Sequence, residues 1–406
     1  MTERLYYHDS FLHTFEARVL ESLEHDGKTA VVLDRTAFYP TSGGQVHDTG
    51  VLILEDETKI PVLDVADEED GTIRHFISAP LLAAGKAVRG LIDAHRRRDH
   101  MQQHSGQHVL SAAFVRLFDV PTMSFHMGTE SCTIDLAVKS LTSEQIVQAE
   151  RLANDVVTED RSVAIRFVPL EEARQMGLRK LPPKQTGELR LIDIADFDLT
   201  ACGGTHVRST GQIGAILLRK AENVKQGVRV EFVSGFRAVD TARQDYNTLA
   251  EAAGLYSAHL REVPEQIRKS IQETKSSAKE RNKLLEELAE FQAARLLAEA
   301  TGTPRVITAA FPERDAAFIK LVAQKLTIGN ADVIALIVSG SGQPALVFAQ
   351  SPGQRWNMGQ LLKEAMAQLG GRGGGSADMA QGGLPVNTAD LTQVKKVLQE
   401  TAARLA

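Results

Sequence analysis

The sequence predicts an α+β multidomain protein: a small N-terminal β-barrel (residues 1–94), a mixed α/β region (95–237), a helical arm (238–302) and a small C-terminal α/β domain (303–406). Three observations carry this. Short strand-like runs separated by turn formers fill the first ninety or so positions. A stretch rich in Ala, Glu, Lys, Leu and Gln occupies roughly 240–300. The last hundred residues alternate apolar strand-like runs with helix-like ones. A chain of 406 residues also exceeds one typical domain.

The first region holds the runs 29–34, 49–54, 60–65 and 73–77, whose spacing fits a small antiparallel sheet or barrel. A loop of turn formers, Pro40-Thr41-Ser42-Gly43-Gly44-Gln45, interrupts them. From 95 to 118 Met101, Val109, Leu110, Ala113, Phe114 and Leu117 recur at helical steps. Strands at 132–136 and 163–167 and helices at 143–157 and 170–176 follow. Pro264 suits the first turn of a long helix. Its apolar positions are sparse at Ile267, Ile271 and Ala278 and denser from Leu284 to Leu297, which fits a projecting or coiled-coil arm. A helical hairpin with 241–253 and a two-chain contact are both compatible, so a homodimer through the arm or the C-terminal domain stays open. In the last domain 306–310, 333–338 and 345–349 read as strands, and 357–369 and 389–403 as helices. Gly370-Gly371-Arg372-Gly373-Gly374-Gly375 between those helices reads as a loop.

The composition, 43% hydrophobic and 24% charged, is that of an ordinary globular protein. No 18-residue apolar span and no signal-peptide run occur, so the expectation is a cytoplasmic chain with no membrane partner. Two cysteines, Cys132 and Cys202, are too few for a disulfide framework, which leaves thiols available to a metal. Cys132 alternates with Ile134 and Leu136 and reads as a core residue. The net charge of −6 is uneven: residues 303–406 carry ten Lys/Arg against seven Asp/Glu, leaving −9 on the rest. Basic clusters at Arg96-Arg97-Arg98 and at Arg179, Lys180 and Lys184 read as solvated surface. Charge alone neither requires nor excludes RNA.

His104 and His108 lie four apart on the helix, so both point from one face, one turn apart. Cys202-Gly203-Gly204-Thr205-His206 adds a thiolate and a third imidazole within one glycine-rich loop, whose glycines allow positive φ and close backbone approach. Three nitrogens and one sulfur suit zinc or iron, with zinc the default for a tetrahedral site. A metalloprotease needs a Glu after the first His, and Ser105 stands there. His95, His100 and His126 are further imidazoles that a surface or strand position explains equally well.

Together, Phe38–Gln45, His104-Ser105-Gly106-Gln107-His108 and Cys202–His206 resemble the editing domain of alanyl-tRNA synthetase, and 370–381 resembles the DHHA1 domain at the end of that enzyme. The match covers nearly the whole chain and leaves no room for an amino-acid-activating domain, so the chain resembles the free-standing, long-form alanyl-tRNA editing proteins. The resemblance implies a deacylase that hydrolyses serine, and in some members glycine, from mischarged alanine tRNA. It implies Zn2+ on His104, His108, Cys202 and His206, Thr41 reading the serine hydroxyl and Gln45 beside the scissile ester, with Ser42, Gly43 and Gly44 completing the substrate loop. It also implies RNA contacts from Arg372, Gly373, Gly374 and Gly375. Pro40-Thr41 replaces the Ala-Glu common in synthetases, Arg372 stands where Lys is frequent, and Val230 where a second Arg is frequent.

Without the resemblance, Ser42-Gly43-Gly44 reads as a surface turn, and the glycine-rich segment as a phosphate cradle or a linker. Four protein ligands close a zinc site, whereas catalytic zinc keeps a position open. An expanded coordination shell or a substrate-anchoring ion resolves that tension. A zinc-stapled tRNA-binding protein without hydrolytic activity is the competing expectation. A phosphoesterase of the DHH class is disfavoured, because Arg98-Asp99-His100 lacks the second His.

Overall fold

The computed structural model describes residues 2–25, 27–179, 187–385 and 391–406. It divides into two units, residues 1–251 and 252–406. In the first unit β1 (Thr14–His25), β2 (Lys28–Leu33), β3 (Gly50–Ile53), β4 (Lys59–Asp67), β5 (Ile73–Ile77) and β6 (Ala87–Ile92) close a barrel in the order β1-β2-β5-β4-β3-β6. Alternation makes this possible: Phe15, Ala17 and Val19, or Val88 and Ile92, face one apolar interior while the residues between them face out. β1 and β6, which pair with each other to close the barrel, lie in the strand-forming region but outside the four runs singled out from the sequence.

The barrel interior contains a buried imidazole. His75 on β5 is fully buried, its Nδ1 3.1 Å from the Val31 carbonyl and its Nε2 2.8 Å from the Thr36 hydroxyl, which in turn accepts the Phe38 N–H. The carbonyl only accepts, so Nδ1 carries the proton and Thr36 donates to Nε2. Burial, partly offset by the Val31 bond, lowers the His75 pKa to about 4. An unfolded histidine titrates near 6.5, so the unfolded chain binds the extra proton first. The stabilisation is therefore complete above about pH 6.5 and lost as pH falls toward 4, about 3 kcal/mol over that window. Urea unfolding at pH 7 and pH 4.5, with His75→Gln alongside, checks this; equal pH dependence in both proteins would remove His75 as the cause.

After the barrel come α1 (Ala94–Phe118), β7 (Thr122–Met127), β8 (Cys132–Leu136), α2 (Ser143–Thr158), β9 (Val163–Pro169) and α3 (Leu170–Ala173). Then follow β10 (Glu188–Ile194), β11 (Asp198–Ala201), β12 (Ile216–Val224), β13 (Gly227–Ser234) and α4 (Phe236–Leu255). A four-stranded sheet, β12-β13-β8-β7, and a three-stranded one, β9-β10-β11, result. α1 is buried around nearly its whole circumference from His100 to Phe114, whereas Leu117, expected in the core, is 41% exposed. Cys132 is buried on β8, and burial pushes its thiol up to about 12. The cluster at 96–98 is not uniformly solvated surface: Arg97 is completely buried against Asp48. Lys180 and Lys184 lie outside the described residues.

The second unit holds α5 (Val263–Glu299), β14 (Arg305–Phe311), α6 (Ala316–Thr327), β15 (Val333–Ser339), β16 (Ala345–Gln350), α7 (Met358–Leu369), β17 (Arg372–Gly375), β18 (Met379–Gly383) and α8 (Leu391–Ala403). Pro264 sits in the first turn of α5, as expected. The denser half of α5 packs Ala289 and Ala293 with Phe318 and Val322 of α6, while Ile267 and Ile271 stay exposed. The helix α6, which the sequence reading passed over, covers one face of the sheet β14-β15-β16-β18-β17. Arg372–Gly375 is not a loop. It is the edge strand β17, paired antiparallel with β18. A Cβ at Gly375 would fall 2.3 Å from the Met379 carbonyl oxygen and one at Gly373 2.6 Å from the Gly382 Cα, so these glycines allow tight strand packing. Among the described residues no helix is long and apolar enough to cross a membrane.

Candidate metal centre

The Asp93 side chain caps α1 by accepting the His95 and Arg96 N–H groups, and this fixes the start of the helix that carries His104 and His108. Its polar stretch is buried because it is partnered. The Gln103 amide donates to the Ser234 carbonyl (2.9 Å) and accepts the Ser234 N–H (2.8 Å), extending the ladder of β13. Gly106 lets α1 approach that strand, since a Cβ there would meet the Ser234 hydroxyl at 2.2 Å.

The loop after β11 brings Cys202 and His206 against this face. The ligand atoms of His104, His108, Cys202 and His206 lie within 4.8 Å of one another. Cys202 Sγ is 3.5 Å from His104 Nε2 and 3.3 Å from His206 Nε2. Bonds of about 2.0–2.3 Å to a tetrahedral ion place neighbouring donors roughly 3.3–3.6 Å apart, so the set fits a four-coordinate metal. Neither Gly203 nor Gly204 adopts the positive φ expected of them. Gly204 is needed for close approach instead: a Cβ there would lie 2.2 Å from His104 Cε1 and 2.9 Å from Gln45 Oε1.

Two of the three imidazoles are hydrogen-bonded from behind, and the third, His108, faces a carboxylate without a hydrogen bond. His104 Nδ1 is 2.7 Å from Gln45 Oε1. The Thr205 N–H, which only donates, reaches the same oxygen (3.2 Å), while Gln45 Nε2 donates to the Thr205 hydroxyl (2.9 Å). The amide orientation follows, so His104 carries its proton on Nδ1 and offers Nε2 to a metal. His206 Nδ1 lies 3.1 Å from the Ser105 hydroxyl, which also accepts the Val207 N–H. His108 Nδ1 is 3.6 Å from Asp198, whose carboxylate is held bidentately by Arg179 at 2.7 and 3.0 Å. Burial drives the His206 pKa down to about 3, leaving it neutral. Burial alone would raise the Cys202 thiol, yet His104 and His206 beside it hold it well below its ordinary value. A neutral imidazole and a thiolate are the forms that bind metal.

The substrate loop expected from the sequence is a tight turn. Ser42 and Gln45 exchange backbone hydrogen bonds of 3.0 and 2.9 Å, and Gly43 (φ 58) and Gly44 (φ 87) occupy the two left-handed positions between them. The turn docks on β7, where Met127 N–H donates to the Gly44 carbonyl (3.0 Å), and this seats Gln45 against His104. Gln45 is fully buried with both ends of its amide engaged. Thr41 is exposed, and its hydroxyl lies 3.1 Å from His47 Nδ1. Thus Gln45 joins the four ligands, Thr41 and Ser42 lie at the surface of the same turn, and Arg372–Gly375 belong to the second unit. His126 and His95 are exposed, and His100 is buried one turn before His104. The sequence reading missed Ser10, Ser105, Asp198, Arg179 and Arg190. Ser10 accepts the His206 N–H (3.1 Å), and Arg190 donates to the Cys202 carbonyl (2.6 Å). Only Ser105, between the two helical histidines, had a local signal.

Three family models match the chain: tRNA synthetases class II (A) over residues 2–96, the threonyl and alanyl tRNA synthetase second additional domain over 189–230, and the DHHA1 domain over 304–404. The alanyl-tRNA editing protein AlaX-L of Pyrococcus horikoshii is 31% identical over 94% of this chain and 94% of its own length. The chain belongs to the alanyl-tRNA editing protein family. Alanine–tRNA ligases of Pyrococcus abyssi (33% identical over 98% of this chain) and Halobacterium salinarum (34% over 95%) are also similar. The chain spans 43% and 42% of their lengths, respectively. Within the family frame the second additional domain model includes Cys202 and His206, and the DHHA1 model includes β17.

Proposed function

We propose that this protein hydrolyses the ester that joins serine, and secondarily glycine, to the tRNA for alanine, with zinc held by His104, His108, Cys202 and His206. The observation that carries the reading is the donor set, three imidazoles and a thiolate whose ligand atoms lie within 4.8 Å of one another beside the Ser42–Gln45 turn, with His104 and His206 hydrogen-bonded from behind. The editing relative and the synthetase-derived domain models support the substrate class. Lewis acidity toward an ester carbonyl or a water is the chemistry a bound zinc supplies in such a set.

The chain's own groups do the rest. Gln45 is a positioning residue, because it is fully buried and its amide oxygen fixes the His104 tautomer. Thr41, exposed on the same turn, offers a hydroxyl that can exchange His47 for the serine side chain. Discrimination then arises because alanine leaves that hydroxyl unpaired. Arg372 at the exposed edge strand adds a guanidinium suited to phosphate, and the second unit contributes RNA grip. Purified protein should deacylate seryl-charged alanine tRNA with a kcat/KM at least about 100-fold above that for the alanyl-charged form, glycine falling between. Absence of hydrolysis of any charged form by zinc-loaded protein would sink the enzyme reading in favour of a zinc-stapled tRNA-binding protein.

A further inference from the structure

One helical turn from His104 toward the start of α1, the first unit holds a cleft of about 560 Å³. Its lining is chemically mixed. Arg98 is exposed and has no ion pair or hydrogen bond among the described residues. Arg96 donates through Nε to the His47 carbonyl (3.0 Å), and its two terminal nitrogens have no partner among the described residues. Phe236, the first residue of α4, stands at the cleft 57% exposed. His100 lines it at 1% exposure, with a buried Nδ1 that has no hydrogen-bond partner. Arg237 is neutralised by Asp99 at 2.6 and 2.7 Å, and Asp240 is exposed.

An isolated anion would use the arginines but be repelled by Asp240, and it has no use for an exposed phenyl ring. A nucleotide uses the ring, the guanidinium groups and the carboxylate together. A base stacks on an aromatic face, a phosphate takes guanidinium donors, and a carboxylate accepts from a 2′-hydroxyl or an exocyclic amine. The separation of one turn, about 5.4 Å, is one to two nucleotide steps. Gln45 touches His104, and the next two residues, Val46 and His47, line the cleft, so the cleft lies next to the metal centre. We infer that this cleft holds a nucleotide of the single-stranded 3′ end of the RNA substrate, stacked on Phe236 with its phosphate on Arg96 and Arg98. The inference rests on the reading of the protein as a tRNA deacylase.

The test uses full-length zinc-loaded protein, Phe236→Ala, Phe236→Tyr and Arg98→Glu. Uncharged alanine tRNA, intact or lacking its single-stranded 3′ end, serves as the binding probe, and seryl-charged tRNA as substrate. Wild type should bind the truncated tRNA about tenfold more weakly than the intact one. Phe236→Ala and Arg98→Glu should bind intact tRNA about tenfold more weakly than wild type and no longer distinguish the two forms. Their KM should rise by a similar factor with kcat changed less than about threefold, zinc content unchanged, and Phe236→Tyr near wild type. If wild type hydrolyses the substrate but both variants keep wild-type KM and affinity, the cleft assignment is overturned while the deacylase reading stands. If binding depends on the 3′ end and on these residues but no charged form is hydrolysed, the cleft stands and the deacylase reading falls.

Discussion

Gly204→Ala should abolish stoichiometric zinc binding and, with it, tRNA deacylation, as completely as Cys202→Ala does. The new Cβ would sit 2.2 Å from His104 Cε1 and 2.4 Å from Nδ1, well inside van der Waals contact. His104 has nowhere to go. Its ring stacks on Phe125 with centroids 5.4 Å apart, its Nδ1 is held by Gln45, and its backbone lies in the middle of a buried helix. The loop cannot retreat easily either, since Arg190 clamps the Cys202 carbonyl and Ser10 accepts the His206 N–H. Gln45→Leu removes only the orienting partner and should weaken zinc by roughly 10–100-fold, the range usual for an outer partner of a ligand. Metal analysis and competition with a chromophoric chelator would rank the three variants. A Gly204→Ala protein with wild-type zinc affinity would refute the close-approach argument.

Arg97→Met should destabilise the first unit by about 3–5 kcal/mol, because it leaves the Asp48 carboxylate buried without a counter-charge. Both side chains are fully buried. The guanidinium bonds Asp48 through Nε (3.1 Å to each oxygen), Ser10 O at 2.7 Å and Ala37 O at 2.6 Å. Asp48 also accepts the Tyr39 N–H at 2.7 Å. This network ties α1 to the segment 37–48 that carries the Ser42–Gln45 turn. Neutralising the stranded carboxylate in Arg97→Met/Asp48→Asn should recover part of the loss, since an amide oxygen can still accept from Tyr39. Amide hydrogen exchange gives the readout: protection in β2 and β3 should fall by about two to three orders of magnitude in Arg97→Met, and less in the double variant. A double variant less protected than the single one would contradict an uncompensated charge as the cause.

The cluster of His104, His108, Cys202 and His206 was legible because its spacings are local: a helical turn between His104 and His108, and a short loop between Cys202 and His206. The shell behind them was not. Ser10 and Asp198 reach the ligands across tertiary contacts and nothing in their neighbourhoods marks them as partners, while Gln45 was expected in the site from its motif but beside the ester and not behind His104. α1 shows the same limit from the opposite side. Its stripe predicted one apolar face, yet Gln102 to His108 is buried too, because hydrogen bonds to β13 and to the loop make up for polarity. Arg97 looked like surface because a run of three arginines usually is, and only the Asp48 partner reverses that. In the second unit Arg372–Gly375 has the composition of a loop. It is a strand because glycines at 373 and 375 allow β18 to come close, a property that composition hides.

The hydrogen-bond relay from Thr205 through Gln45 to His104 joins three stretches of chain that are far apart: a barrel turn, a helix and a late loop. Each contact spans 59 or 160 residues of sequence, so the chain must close long loops before a single imidazole acquires its ligand tautomer. Under the proposed zinc reading, metal capture should therefore come late in folding. In a refolding experiment the chelator signal should lag the return of barrel secondary structure, and the protein should reach zinc as a nearly finished scaffold, unlike a zinc finger, which is organised by its ion.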